Sequence, residues 1–162
     1  GNYAYIDVGG GSTEISLLHD GVLTHSQSYN IGTLRMLGGM VSKETIENMK
    51  ADLRRFAQDM PGVRMIGSGG NINKLFKLTH SSKDAREVTI AEIKDVYSKL
   101  KALSVEERIE QYGLKADRAD VIIPASEIFM IVAEALQCDT IKVPNISLAD
   151  SIIDGLYRTK YE

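Results

Sequence analysis

The opening of the chain has a pattern of apolar and polar residues that predicts a small antiparallel sheet. Residues 3–8 are apolar and rich in strand-forming side chains, and residues 13–18 alternate between apolar and polar positions. Asp20-Gly21 is a two-residue turn of the kind favoured in hairpins, and residues 22–29 return as the next strand. Three consecutive antiparallel strands are therefore expected at the start of the domain.

The middle of the chain changes to helical spacing. Ser42 is suited to cap a helix whose apolar residues recur every three or four positions until Pro61-Gly62 ends it. A short buried strand is expected over residues 63–66, and a helix from about residue 72 to residue 78. Residues 79–87 are polar and are typical of a surface loop.

The second half of the chain is dominated by helices with recognisable beginnings. Thr89 with Glu92 and Ser104 with Glu107 have the spacing of capping boxes. The longest helical pattern covers residues 117–136, and Pro124 should either kink this helix or lie near its first turn. A last strand over residues 139–143 and a last helix over residues 147–157 complete the pattern. Strands followed by alternating helices and strands predict an α/β domain with a mixed sheet covered by helices.

Composition and charge restrict the class of protein. A chain of 162 residues is most simply a single domain, and its net charge of −3 supplies no global attraction for nucleic acid or an anionic membrane. Cys138 is the only cysteine, so no intramolecular disulfide can form. The sequence lacks an apolar run long enough for a membrane span and lacks the layout of a secretory signal. These features predict a cytoplasmic protein without DNA or membrane partners.

Glycine loops follow two of the predicted strands directly. A strand end in an open α/β sheet is a common ligand site, and consecutive glycines let backbone N–H groups converge on an anion. A lone glycine run is more often a tight hairpin, but two such loops in one domain favour phosphate binding. The candidate phosphate-binding residues are Gly9, Gly10, Gly11, Ser12 and Thr13 in the first loop, and Gly67, Ser68, Gly69 and Gly70 in the second.

Two carboxylates lie close to the first loop in sequence. A carboxylate beside a phosphate requires a cation or a proton between them, and Mg²⁺ binds through few carboxylates together with water and phosphate oxygens. Asp7 precedes the loop and Glu14 follows it on the next strand, so both could face one cleft. We expect Asp7 to bind the metal, and Asp7 and Glu14 to be the catalytic candidates. His19, His25 and His80 have no zinc-ligand spacing.

Five segments together resemble the second domain of the exopolyphosphatase and guanosine pentaphosphate phosphohydrolase (Ppx/GppA) family. The likeness extends from about residue 3 to residue 157, and the segments follow the order that the family has. The segments are "YIDVGGGSTEISLLHDG", "NIGTLRM", "MIGSGGNINKL", "RADVIIPASEIF" and "SLADSIIDGLY". The resemblance implies a ribonuclease H-like fold, as in actin, sugar kinases and heat-shock ATPases.

The resemblance also implies roles for particular residues. The segment that contains Asp7 and Glu14 is similar to the family's phosphate-binding and metal-associated loop, and the second glycine loop would border the polyphosphate or nucleotide end of the cleft. Arg118 begins a segment in which an ion pair with Asp120 or Glu127 is as plausible as a ligand role. Arg35 is a weaker candidate for phosphate contact.

The chain departs from the family in two places. The family's first domain, which carries the catalytic glutamate that activates water, has no counterpart in this sequence. Many members also have Leu-Arg-Glu-Gly where this chain has Ile152-Ile153-Asp154-Gly155. Residues 1–162 are therefore expected to form the carboxyl-terminal half of a two-domain module, and to be inactive alone.

The expected reaction is Mg²⁺-assisted release of terminal phosphate from polyphosphate or guanosine pentaphosphate. Two alternatives remain open at this point: a non-catalytic phosphate- or nucleotide-binding regulatory module, and the ATP-binding half of a kinase-like enzyme. The expected partners are the substrate and the family's first domain. Ile128, Phe129, Ile131 and Val132 are assigned to the core, with a homodimer contact left open.

Overall fold

A computed structural model of the chain describes residues 1–79 and 85–144. This part of the chain forms six strands and six helices. The strands are β1 (Asn2–Val8), β2 (Thr13–His19), β3 (Val22–Tyr29), β4 (Arg64–Ser68), β5 (Glu87–Thr89) and β6 (Thr140–Lys142). The helices are α1 (Thr33–Leu37), α2 (Lys43–Asp59), α3 (Gly70–Leu78), α4 (Ile90–Lys101), α5 (Val105–Tyr112) and α6 (Ala116–Leu136).

The six strands form one mixed sheet in the order β3-β2-β1-β4-β6-β5. Strands β1, β2 and β3 are antiparallel neighbours, as the sequence predicts. Asp20 and Gly21 have φ of 49° and 80°, the positive values that a two-residue hairpin turn with right-handed strand twist requires. Strand β1 pairs in parallel with β4, and β4 pairs in parallel with β6, so an α/β domain with a mixed sheet is confirmed.

Alternation along β1 separates a core face of the sheet from a more exposed one. Ala4, Ile6 and Val8 are buried in the main apolar cluster. Asp7 is exposed. Helix α6 contacts β1 and each of the other five helices, so it is the central element of the helical layer. Its side chains Ile128, Phe129 and Val132 are 0% exposed, which confirms their assignment to the core.

Helices α2, α4 and α5 begin where the sequence predicts. Ser42 accepts a hydrogen bond from the Thr45 N–H at 3.1 Å, at the start of α2. Both capping boxes are formed at the starts of α4 and α5, with the Thr89 and Ser104 hydroxyls accepting from the third residue of each helix. Each such cap contributes about 1 kcal/mol to helix stability.

Several boundaries differ from the prediction. Helix α3 begins at Gly70 rather than near residue 72, and β4 continues through Ser68, so most of the predicted second loop belongs to regular elements. Strand β5 is not predicted, because three residues are too few to show alternation; its first residue, Glu87, ends the predicted polar loop. Pro124 lies well inside α6 and not near its first turn. The helix predicted over residues 147–157 lies outside the described residues.

None of the helices in residues 1–79 and 85–144 combines the length and the apolar character that crossing a lipid bilayer requires.

Candidate functional site

Asp7 lies at the point where the two glycine-containing segments come together. On one side it pairs across the antiparallel ladder with Glu14, and on the other side across the parallel ladder with Ser68. Directly paired residues project from the same face of a sheet. The two carboxylates are exposed, so the structure places Asp7 and Glu14 on one face, as the sequence indicates.

The first glycine loop is held by its own carbonyl groups. The Gly9 N–H donates to the Ser12 carbonyl at 2.9 Å and closes the loop. The Gly9 and Gly10 carbonyls accept from the Thr33 and Leu34 N–H groups, each at 3.0 Å, at the start of α1. Because the loop carbonyls satisfy these helix donors, the loop and α1 form one rigid unit.

The amide groups of this loop are the part suited to an anion. Among the residues that the structure describes, none accepts a hydrogen bond from the Gly10, Gly11 or Ser12 N–H groups. Gly9 and Gly11 are exposed. Converging backbone N–H groups with no side chains to obstruct them form a concave anion-binding surface.

Gly32 is a site residue that the sequence reasoning missed. It is buried at the residue before α1, and a Cβ there would fall well inside contact distance of the Gly10 carbonyl and the Gly11 backbone. Glycine is therefore required so that the first loop can rest on the start of α1. Its place in the "NIGTLRM" segment was the available signal, but a sequence alone does not reveal which backbone approaches it.

Thr13, a predicted phosphate-binding residue, has a structural role in the first loop. Its side chain is 0% exposed, and its hydroxyl donates to the Ile31 carbonyl at 2.6 Å. This bond ties the beginning of β2 to the segment that leads into α1. The geometry gives no support for Thr13 as a phosphate ligand, because a ligand cannot reach a buried hydroxyl that is already bonded.

Gly67 also has a packing role. It lies buried within β4, where a Cβ would come within 2.9 Å of Ile72 Cγ1 and 3.1 Å of Ile141 Cγ2. The absence of a side chain lets α3 and β6 pack against the end of β4. The remaining glycines of the segment, Gly69 and Gly70, lie nearer to the surface at the start of α3.

Gly69 brings the start of α3 against Asp7. Its φ of +100° lies in the region that favours glycine, and an added Cβ would lie 3.1 Å from Asp7 Oδ1. The Asn73 side chain donates to the Gly69 carbonyl at 2.7 Å and fixes this corner. The first turn of α3 contains no acidic residue, so its partial positive charge is available to the Asp7 carboxylate and to an anion.

Asn71 and Arg118 connect this corner to the rest of the fold. Asn71 is 8% exposed, and its side-chain N–H donates to the Val8 carbonyl at 3.4 Å. Arg118 Nη1 donates to Asn71 Oδ1, and Arg118 Nη2 lies 2.5 Å from the position that a Cβ on Gly70 would occupy. Among the described residues the guanidinium contacts Asn71 and forms no ion pair with Asp120 or Glu127, one of the two alternatives left open by the sequence.

Arg35 contacts the first loop from the side of α1. Its Nε donates to the Gly11 carbonyl at 2.6 Å, and its backbone N–H donates to the Gly10 carbonyl at 3.3 Å. The side chain is half-buried. A cationic group thus lies beside the amides that are suited to an anion.

The other candidates do not join this site. Within the part of the chain that the structure describes, no group of three or more His, Cys, Asp or Glu side chains could hold a metal. The Cys138 thiol donates to the Val63 carbonyl at 3.3 Å, and burial raises its pKa, which disfavours a nucleophilic thiolate. His25 packs against the Phe56 ring with their centroids 5.1 Å apart, and His80 lies outside the described residues.

Comparison with known protein sequences relates this chain to a family of phosphatases. The Ppx/GppA phosphatase family matches residues 1–160 of the chain. Over 174 aligned residues, the chain is 22% identical to a guanosine-5'-triphosphate,3'-diphosphate pyrophosphatase from Aeromonas hydrophila and 24% identical to one from Aeromonas salmonicida. Both alignments cover 100% of this chain and 35% of the relative, so the chain spans about a third of the length of these curated relatives.

Solved structures of similar proteins share the architecture. An Aquifex aeolicus member of the Ppx/GppA protein family superposes with a TM-score of 0.73 at 20% identity, covering 98% of this chain and 57% of that one. An exopolyphosphatase from Cytophaga hutchinsonii superposes with a TM-score of 0.68 at 19% identity, covering 96% of this chain and 58% of that one. These structures have the actin-like ATPase fold, which confirms the fold class expected from the sequence.

Proposed function

Because the chain belongs to the Ppx/GppA phosphatase family, we propose that it is the phosphate-binding half of an enzyme that hydrolyses phosphoanhydride bonds. The substrate is inorganic polyphosphate or a guanosine pentaphosphate, and the product is the terminal phosphate. One observation carries the proposal: Asp7 pairs with both Glu14 and Ser68, so two carboxylates and two glycine-rich segments meet at one edge of the sheet.

Phosphate groups bind at two places in this proposal. The first is the set of amides at Gly10, Gly11 and Ser12, whose loop is already fixed by α1. The second is the start of α3 at Gly69 and Gly70, where the helix dipole favours negative charge. Phosphoryl transfer depends mainly on positioning and charge stabilisation, which both places can supply.

Mg²⁺ fits the two exposed carboxylates. Asp7 and Glu14 are direct cross-strand partners, and like charges placed opposite each other are destabilising until a cation or a proton intervenes. Mg²⁺ prefers carboxylate oxygens combined with water and phosphate oxygens, so two protein ligands are sufficient. When bound, it would neutralise negative charge on the phosphate oxygens.

Asp7 and Glu14 have different roles in the proposed reaction. Asp7 lies against the start of α3, between the two phosphate positions, where its carboxylate can hold the metal or orient the attacking water. Glu14 supports Asp7 from the neighbouring strand. The curated relatives contain a further two thirds of their length outside the aligned region, and we assign activation of water to that additional part.

This assignment predicts that the 162-residue chain alone hydrolyses almost nothing. Loss of a general base reduces rates by about 10²–10⁴-fold, and loss of the opposite wall of the cleft reduces phosphate positioning further. Anion binding at the first loop should survive, because its amides are held by residues of this chain.

The test is an assay of phosphate release with polyphosphate, guanosine pentaphosphate and ATP, with and without Mg²⁺. It compares the longer natural protein, its Asp7→Asn variant and the 162-residue chain. We expect Mg²⁺-dependent release from polyphosphate or pentaphosphate by the longer protein, with a large loss of turnover in Asp7→Asn and little change in affinity. Hydrolysis of ATP alone, or Asp7→Asn turnover equal to wild type, would overturn the proposal.

A further inference from the structure

We infer that Arg35 binds a second phosphate group of a ligand whose end phosphate lies on the first glycine loop. This inference rests on the proposed function and makes it more specific. It assigns to Arg35 the preference of the loop for linked phosphates over a single phosphate.

The guanidinium is held in place by the loop itself. Its Nε donates to the Gly11 carbonyl at 2.6 Å, and the Arg35 backbone N–H donates to Gly10. The side chain is half-buried, since it turns from α1 back onto the loop. Much of the entropy that a long side chain loses on binding a ligand is therefore already lost in the free protein.

Most of the hydrogen-bonding capacity of Arg35 remains available. A guanidinium has five N–H donors, and the bond to Gly11 uses one of them. In the described part of the chain no carboxylate lies within ion-pairing distance of this group. Arg55, by contrast, pairs with Asp52 at 2.9 Å. Arg35 thus presents a positive charge whose terminal N–H groups form no hydrogen bond with a described residue.

The place of a second phosphate follows from the chemistry of the ligand. Neighbouring phosphate groups of a polyphosphate or a nucleoside polyphosphate are joined by one bridging oxygen, so the second group lies beside the first. With the end phosphate on the Gly10, Gly11 and Ser12 amides, the Arg35 guanidinium is the adjacent cation. Two phosphate oxygens can accept from its paired terminal N–H groups.

The discriminating experiment measures binding of orthophosphate, pyrophosphate and tripolyphosphate to the 162-residue chain, by calorimetry and by amide chemical shifts of Gly10, Gly11 and Ser12. The variants are Arg35→Gln, Arg35→Lys and the matched control Arg54→Gln, which removes an exposed arginine of α2. We expect Arg35→Gln to weaken tripolyphosphate and pyrophosphate binding by about 10- to 100-fold, the effect of losing charge-assisted hydrogen bonds. Orthophosphate affinity should change much less.

The remaining outcomes separate this inference from the proposed function. Arg35→Lys should regain part of the lost affinity, because it restores the charge without the paired donors. If Arg35→Gln folds poorly, the lysine variant still tests the contribution of the paired donors. Equal weakening of all three anions would make Arg35 only a support for the loop and overturn the inference. If Arg35→Gln bound all three anions with the affinities of the wild type, the inference would also be overturned. Phosphate binding by the first loop would then still stand. Failure of the wild-type chain to bind any of the anions would overturn the proposed function itself.

Discussion

Asp7 on β1 and Glu14 on β2 are direct cross-strand partners with both carboxylates exposed on the same face of the sheet. Two negative charges in this arrangement repel each other, at a cost of about 0.2–1 kcal/mol for an opposed pair. The Mg²⁺ proposed above would reduce this repulsion by binding to both carboxylates.

Replacement of Glu14 by glutamine tests this relationship. Without divalent cations, Glu14→Gln should raise the melting temperature by about 1–3 °C at low salt, because the repulsion is removed. Added Mg²⁺ should raise the melting temperature of the wild type more than that of the variant. Glu110→Gln, on the exposed surface of α5, is the control. It should change neither the melting temperature nor its response to Mg²⁺. Equal Mg²⁺ responses of wild type and Glu14→Gln would remove Glu14 from the metal site.

Gly32→Ala should damage both stability and anion binding. Its added methyl group would overlap the Gly10 carbonyl, so the first loop must separate from α1. We expect a loss of about 1–3 kcal/mol in the free energy of unfolding, as for other overpacked sites, together with broadened Gly10 and Gly11 amide signals. The control is Gly11→Ala, whose Cβ meets no atom within 4 Å and should leave the free energy of unfolding almost unchanged. A fully stable Gly32→Ala chain would contradict the close approach.

Asn71→Ala should loosen the corner between β1, α3 and α6. The substitution removes the hydrogen bond to the Val8 carbonyl and leaves the Arg118 guanidinium without its side-chain acceptor. Loss of a hydrogen bond to a charged, partly buried group costs about 1.5–3 kcal/mol. Chemical denaturation should show this loss in Asn71→Ala and not in Asn48→Ala, which changes an exposed residue of α2. If the two variants had similar midpoints of chemical denaturation, Asn71 would not connect Val8 and Arg118 in a way that stabilises the fold.

The pKa of Tyr29 predicts how the free energy of unfolding depends on pH in the alkaline range. Burial and then the hydrogen bond that its hydroxyl donates to Asp52, at 2.9 Å, raise the pKa of Tyr29. An unfolded tyrosine ionises near pH ~10, so the contribution of Tyr29 is complete below that pH. It is lost as the pH rises from there towards the higher pKa of the folded state.

Measured unfolding free energies between pH 8 and pH 11 should therefore fall less steeply in Tyr29→Phe than in the wild type. At neutral pH the variant should be less stable by about 1 kcal/mol, since one hydrogen bond is lost. Parallel slopes for the wild type and Tyr29→Phe would show that Tyr29 does not titrate with unfolding.

Local signals in the sequence were sufficient for most of the fold. The hairpin turn at Asp20-Gly21 and the capping residues Ser42, Thr89 and Ser104 act within a few positions, so their structures follow from neighbouring residues alone. The predicted start of α3 differs because glycines indicate a loop, whereas Gly70 is already the first residue of a helix that is anchored by the buried side chains of Ile72 and Leu75.

The position of the site could be predicted from the sequence, but the separate roles of its residues could not. The order of Asp7, the glycines and Glu14 along the chain places them at one strand end. The contact of Gly32 with the first loop and the bond from Thr13 to Ile31 are tertiary, and no residue pattern near either position encodes them. The same holds for Gly67, whose lack of a side chain is explained by Ile72 and Ile141.

The two sides of the site differ in how far apart in the chain their partners lie. Thr13 and Ile31, which secure the first loop, are 18 positions apart, whereas Asn71 and Val8, which secure the second segment, are 63 positions apart. Contacts between distant positions close larger loops and form later in folding. The first loop can therefore take shape with the hairpin, while the face shared by Asp7 and Ser68 is assembled only after β4 joins the sheet. A nascent chain that has emerged no further than α2 would thus hold the glycines of the first loop and lack the neighbour that completes the pocket.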